Sequence, residues 1–225
     1  MIHVLKKKKT ISDSIISKFR EIGAATVYEA SGRQGYVSHL VKPMRSGMKV
    51  CGPALTVQCM PNDNIMLDKA IEVADRGDVI IAVTNAEPEY AFWGSNMSVA
   101  AMTAGVDALV IDGCVRDAEE IAEMGFNVFC RGVSMKRWSG ESSLGLINYP
   151  IAFGGAVVEP GDLVLGDDDG IVIVKHSECE EILKKSLERV EAEKKKVIAL
   201  KSGISSVEYD NLQADLDRLG LVEEK

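Results

Sequence analysis

Arg116 and Asp117 stand side by side in residues 105–132, GVDALVIDGCVRDAEEIAEMGFNVFCRG. A guanidinium presents a planar fork of donors that matches a carboxylate. A carboxylate presents a hard oxygen that suits a magnesium-type cation. Together they could hold an anionic oxo-acid and its metal. A purely local reading stands beside this one. Asp117 followed by Glu120 has the spacing of a helix N-cap and its capping-box partner. The two readings are compatible, because an Asp has two oxygens.

The flanking sequence says what positions the pair. Residues 108–111 are an apolar run after a glycine, which predicts a buried strand. Asp112-Gly113 is turn chemistry. Residues 118–124 are good helix formers, and Gly125 is placed to stop that helix. Residues 127–130 return as a second apolar strand. Strand, loop, helix and strand make the βαβ unit of a parallel sheet. Ligands of such sheets bind beyond the carboxyl ends of the strands, where Arg116 and Asp117 fall.

A second anion site is predicted at the same rim. Residues 79–83 form a fully apolar strand, residues 84–93 a polar and aromatic loop, and Gly94-Ser95-Asn96-Met97 the start of a helix running to about Thr103. A helix start offers free backbone N–H groups and a positive dipole end. Gly94-Ser95 as a plain helix cap is the simpler alternative.

Bulk properties narrow the classes. The chain has 225 residues, 46% hydrophobic and 27% charged, which fits an ordinary globular chain. A net charge of −8 argues against a general nucleic-acid or membrane-surface partner. Five cysteines with no CxxC pair fit neither a zinc ribbon nor a disulfide framework. Reduced thiols in a cytoplasmic protein are expected. Cys114 lies near the pair, but no His accompanies it as a nucleophile's base would. Lys6 to Lys9 read as a solvated run.

The rest of the chain supplies the scaffold. Ser12 or Asp13 can cap a first helix with Ile15, Ile16 and Phe19 on one face, ended by Gly23. Residues 24–30 read as a second short helix. His39 and Arg45 sit in the connection that follows. Residues 49–60 alternate as a strand, with Pro53 making its first part an edge or bend. Residues 61–64 are a turn and cap, and residues 65–74 an amphipathic helix that packs Ile65, Leu67, Ile71 and Ala74. Residues 133–150, with Lys136, Arg137 and Trp138, are polar enough for a lid or a subunit contact. Residues 151–158 and 163–165 are strands. Asp167-Asp168-Asp169-Gly170 could tempt a metal reading, yet Asp-Gly favours a hairpin turn. A charged helix spans residues 177–201, and residues 204–225 form an acidic helical tail after a single domain of residues 1–203.

The segment VIDGCVRD followed by GFNVFCRG resembles the signature of the RraA-like family, as do ATVYEASGRQG (residues 25–35), CGPALTV (residues 51–57) and PGDLVLGDDDGIVIV (residues 160–174). That family includes 4-hydroxy-4-methyl-2-oxoglutarate and 4-carboxy-4-hydroxy-2-oxoadipate aldolases and regulators of ribonuclease E. The resemblance implies an α/β/β/α sandwich similar to a swivelling phosphohistidine domain, assembled as a homotrimer or hexamer. It implies a metal-dependent lyase that forms pyruvate by aldol cleavage, oxaloacetate decarboxylation or both. Arg116 would bind the pyruvyl carboxylate and the leaving oxygen, and Asp117 would hold the divalent ion, Mg²⁺ or Mn²⁺. Gly94, Ser95, Asn96 and Met97 would bind substrate. A glutamate of the long helix, Glu193 or the nearby Glu191, would reach a neighbouring subunit's site.

One departure matters. The aldolases resembled here usually carry an acid where this chain has Ser95. Binding of a pyruvate-like anion to the N–H groups of Asn96 and Met97 survives that change, whereas efficient aldol cleavage is expected to suffer more than decarboxylation. The alternative is a non-catalytic regulator that binds a ribonuclease through its oligomer surface. A methyltransferase is disfavoured, since no G-x-G-x-x-G follows a strand.

Overall fold

The structure, a computed structural model, describes residues 2–6, 11–61, 63–85, 89–136 and 145–223. Arg137 and Trp138 lie outside the described residues, as do Lys7 to Lys9. Two compact units are present, Met1–Ser186 and Leu187–Lys225. The sequence places the start of the tail at residue 204; the units divide earlier, inside helix Cys179–Lys201.

The first unit is built on a sheet whose middle is parallel. Strand Val50–Cys59 pairs with Val79–Val83, that strand with Ala108–Asp112, and that one with Asn127–Cys130, all parallel. Gly145–Ile147 and Lys42–Pro43 flank them antiparallel. Successive side chains of a strand point to opposite faces, and the core divides accordingly. Leu55, Val57, Ile80, Ala82, Leu109, Ile111 and Val128 pack with Leu67, Ala70, Ala101 and Ile121 of the helices. Ala54, Val79, Ile81, Ala108, Val110 and Phe129 face Phe153, Val158, Val164 and Ile173 of further strands. Beyond hairpin Leu163–Asp167/Gly170–Val174 lies helix Ala24–Ala30, whose Ala24 N–H donates to Asp167 Oδ2 at 2.9 Å. The layers are therefore helix, sheet, sheet, helix, the expected α/β/β/α sandwich.

The βαβ unit around Arg116 matches its sequence pattern closely, with strand Ala108–Asp112, helix Ala118–Met124, Gly125 in the left-handed region and strand Asn127–Cys130. Pro53 also behaves as expected. The stretch before it pairs only with Leu163–Gly166, and pairing with Val79–Val83 begins at Ala54. A residue without an N–H is tolerated where no ladder bond is needed.

Four expectations are corrected. Residues 151–158 form a hairpin, Ile151–Phe153 with Ala156–Val158, turned by Gly154 and Gly155, both at positive φ. Ile65 is half exposed, and Met66 takes its place in the core. The long helix opens with a 3-10 turn, His176–Glu178, before Cys179. Finally, residues 84–93 are not all loop: Ala91–Trp93 is a buried strand paired with Cys114–Val115, which pairs in turn with Gly132–Val133. Each of these short strands follows a central parallel strand, so a second small parallel sheet stands at the carboxyl ends of the first. Period-2 patterning over two or three residues is too short to read from sequence.

Candidate active site

The small sheet brings the two predicted anion sites together. Strand Cys114–Val115 leads into Arg116, whose N–H donates to Trp93 O at 2.9 Å. This bond ties the pair to the residue before Gly94. Helix Ser95–Ala104 then starts against it. Trp93 Nε1 donates to Ser98 Oγ at 2.7 Å, and Ser98 Oγ donates to Gly94 O at 3.1 Å, all buried.

Asp117 does not cap its own helix with its side chain. It holds the N-cap position of Ala118–Met124 but makes no side-chain cap bond there, so the capping-box expectation fails. Its backbone is left-handed, at φ 58° and ψ 39°, a conformation uncommon for non-glycine residues though less so for Asp. That turn aims the carboxylate at the neighbouring helix. Asp117 Oδ2 accepts from Ser95 N at 3.0 Å and from Ser95 Oγ at 3.3 Å. Arg116 Nε lies 3.6 Å from the same oxygen. The negative oxygen thus sits at the positive end of a ten-residue helix. Among the described residues, Asp117 Oδ1 has no hydrogen-bond partner. The N–H groups of Asn96 and Met97 also have no acceptor there, as expected one turn into a helix.

Gly94 is required by this approach. A Cβ there would lie 2.6 Å from Asp117 Oδ2 and 3.2 Å from Arg116 Nε. Its φ of −152° is ordinary extended backbone, so space and not conformation demands the glycine.

These residues line a cavity of about 240 Å³ with Asn64, Asp68, Ala91, Phe92 and Trp93. Gly94, Asn96, Met97, Arg116 and Asp117, all expected from sequence, line it directly. Ser95 takes part through its bonds to Asp117. Asn64 and Asp68 were not expected. They are one turn apart at the start of helix Ile65–Val73, hence on one face. Asn64 Nδ2 donates to Phe92 O at 3.1 Å and lies 3.5 Å from Met97 Sδ, clamping this helix to the cavity's far wall. The i, i+4 spacing was the available signal, and it is a faint one. His39 and Arg45 do not line the cavity.

Glu193 belongs to the second unit, where its carboxylate pairs with Arg189 at 3.0 Å; Glu191 pairs with Lys194 at 2.6 Å. Outside the cavity, the triple aspartate serves the backbone. Asp167 Oδ2 accepts from Ala24 N and Oδ1 from Asp169 N at 3.0 Å. Asp168 accepts from Gly47 N–H and Ser46 Oγ, and these bonds hold its carboxyl below the usual range. No cluster of three metal-capable side chains exists among the described residues. All five cysteines are buried, and none forms a disulfide. Burial pushes the Cys51, Cys59 and Cys179 thiols up to about 12 and Cys130 to about 11, and raises Cys114. None is poised as a nucleophile. No helix among the described residues is long and apolar enough to cross a membrane.

Known proteins are similar to this chain in sequence and fold. A protein of Halalkalibacterium halodurans, provisionally named a 4-hydroxy-4-methyl-2-oxoglutarate aldolase, is 33% identical over 171 residues, 76% of this chain and 81% of that protein. The crystal structure of Streptomyces coelicolor RraAS2, described as an unusual member of the RNase ES inhibitor RraA family, superposes with a TM-score of 0.72. It is 27% identical and covers 83% of this chain and 98% of its own. A Pseudomonas syringae protein of 24% identity shares the fold at a TM-score of 0.78, over 88% of this chain and 97% of its own. The RraA-like family model, described as Aldolase/RraA, matches residues 10–173, and the chain belongs to that family.

Proposed function

We propose that the chain is a divalent-cation-dependent lyase that breaks a C–C bond of a small oxo-acid to form pyruvate, by 4-hydroxy-4-methyl-2-oxoglutarate-type aldol cleavage, oxaloacetate decarboxylation or both. The observation that carries it is the bond from Ser95 N–H to Asp117 Oδ2, which puts a guanidinium, a carboxylate with one free oxygen and two free backbone N–H groups around one cavity. The aldolase name carried by the Halalkalibacterium relative supports the same reading.

The donor set suits Mg²⁺, with Mn²⁺ as the second choice. Mg²⁺ keeps several waters and takes one or two carboxylates together with substrate oxygens, and Asp117 Oδ1 is a free hard oxygen of that kind. Bound there, the cation would act as a Lewis acid on the keto group, stabilising enolate charge.

The chain's own groups do the rest. Arg116, with its side chain 44% exposed, binds the carboxylate or the leaving oxygen of the substrate. The N–H groups of Asn96 and Met97 take the other carboxylate end at the helix start. Phe92 and Trp93, both buried, wall off water behind the substrate. Ser95 spends its N–H on Asp117 and carries no acid, so decarboxylation, which needs no hydroxyl proton removed, is the reaction that persists best. Assembly as a trimer or hexamer, with Glu193 or Glu191 directed to a neighbour's cavity, belongs to the same proposal, as does a cytoplasmic setting.

The test is pyruvate release from oxaloacetate with Mg²⁺. Turnover above the metal-only background, lost with chelator and in Asp117→Asn, is expected. No turnover in any condition would overturn the lyase. The RraAS2 likeness then favours a regulator: a stable complex with a ribonuclease, unaffected by Asp117→Ala.

A further inference from the structure

Besides Asp117 the cavity carries a second carboxylate. Asp68 lies in the first turn of helix Ile65–Val73 and lines the cavity with Asn64, Asn96, Arg116 and Asp117. Behind it, Asp63 is 7% exposed; its Oδ1 accepts from Ile65 N at 2.8 Å, and its Oδ2 has no partner among the described residues. A buried carboxylate oxygen left unpaired is costly, and this one stands beside a cavity wall.

We propose that Asp68 is the proton-handling residue of this site, exchanging a proton between its carboxylate and C3 of the pyruvate unit. The inference rests on the lyase reading above.

The proton balance is simple. In aldol cleavage, the Asp68 carboxylate takes the proton of the C4 hydroxyl. The O–H electron pair becomes the new C=O, the C3–C4 bond breaks, and its pair passes into the enolate of pyruvate. Asp68 then gives the same proton to C3: the enol double-bond pair forms the C–H bond and the C2 carbonyl returns. One proton moves from oxygen to carbon, and Asp68 ends as it began. In oxaloacetate decarboxylation CO₂ leaves first, Asp68 supplies the proton to C3, and water restores it. Both reactions require proton delivery at C3. Neither the Ser95 hydroxyl nor the Arg116 guanidinium is acidic enough to provide it.

The surroundings fit such a group. Although Asp68 is exposed, desolvation by its neighbours, and then the charge of Asp63, raise its pKa above the ordinary 3.8. An acid-base group works best when its pKa approaches the working pH. Arg116 and Asp117, of opposite charge, line the same cavity as Asp68. Helix Ser95–Ala104 and strand Gly145–Ile147 contribute no titratable side chain, and strand Val50–Cys59 contributes only Cys51 and Cys59. On its own helix, Lys69 is paired with Glu72 at 2.6 Å. Asp63 is the lever on Asp68.

The test uses the full chain with Mg²⁺ and pyruvate in D₂O, following exchange of the methyl protons by NMR. Pyruvate binding is measured by calorimetry, and the Asp68 carboxyl carbon is titrated by NMR in the ligand-free protein. Asp68→Asn should slow exchange roughly 100-fold, the low end for a positioned acid-base group, while pyruvate affinity stays within about threefold (~0.7 kcal/mol). Asp68→Glu should restore part of the rate. Asp63→Asn should lower the Asp68 titration midpoint and move the pH–rate profile the same way. Unchanged exchange in Asp68→Asn, in a protein that forms pyruvate from oxaloacetate, overturns the role of Asp68 alone. A midpoint that Asp63→Asn does not move also counts against it. A wild type that neither exchanges nor turns over overturns the lyase and Asp68's role together.

Discussion

Two aspartates of this molecule do the same thing in different company. Asp117 Oδ2 accepts Ser95 N–H at 3.0 Å, and Asp167 Oδ2 accepts Ala24 N–H at 2.9 Å. Each reaches from its own turn to the start of a helix elsewhere in the chain. The difference is in the remaining oxygen. Asp167 Oδ1 is used by Asp169 N–H, and the neighbouring Asp168 is engaged by Ser46 and Gly47, while Lys42 Nζ donates to the backbone O of Asp169 at 2.7 Å. Asp117 lines a cavity, and its Oδ1 has no hydrogen-bond partner among the described residues. A structural carboxylate spends its lone pairs on the protein; one available for chemistry keeps some back. A run of three aspartates is the louder signal in sequence and the quieter one in structure.

The largest effect that would sharpen this contrast is at Gly94. Gly94→Ala should push Asp117 and Arg116 apart and lower pyruvate formation by about 10²-fold, the scale for an ångström of misplacement, with little change in melting temperature. Unimpaired turnover in Gly94→Ala would break the argument that the close approach matters.

Ser95→Glu tests the same corner from the other side. It restores an acid beside Asp117 and should raise aldol cleavage on the order of tenfold, well within what one acid-base group supplies. An unchanged aldol rate would mean that Ser95 is not what limits that reaction.

Asp167→Ala should do the opposite of Gly94→Ala. It removes a helix cap and a turn bond, about 1 to 2 kcal/mol of stability together, or several degrees of melting temperature. Turnover per folded molecule should hold. A loss of activity without destabilisation would make the triple aspartate a functional site after all.

The smallest effect is at Asp168. Its folded pKa lies below its ordinary 3.8, so the ionised form is favoured in the folded state. Its contribution is complete above pH 3.8 and fades as pH falls through the folded value. Asp168→Asn should therefore melt slightly below wild type at neutral pH, with the gap closing below about pH 3.8. A gap that persists at pH 2.5 would assign the loss to hydrogen-bond geometry instead of charge.

The βαβ unit around Arg116 was legible because its periodicity, its helix stop at Gly125 and its strand lengths all agree, a consistency that local physics can read. Residues 94–97 as a helix start, and their meeting with Arg116 and Asp117 at one rim, were legible too, since parallel strands align their carboxyl ends. Asn64 and Asp68 were not. On a surface helix an aspartate reads as solvated, and only the packing of that helix against helix Ser95–Ala104, with the bond from Asn64 to Phe92 O, brings it to the cavity.

Sequence patterning determined the strand-helix alternation and the identities of the groups at the rim, because these follow from propensity within short windows, while the layers were implied by the family resemblance. Tertiary structure decided which atoms remain free. Asp117 was a cap on its own helix or a ligand as far as local spacing could tell. The left-handed turn at φ 58° and the approach permitted by Gly94 made it a cap on a different helix, with one oxygen to spare. Hydrogen-bond satisfaction is a property of the assembled chain, and no window of residues contains it.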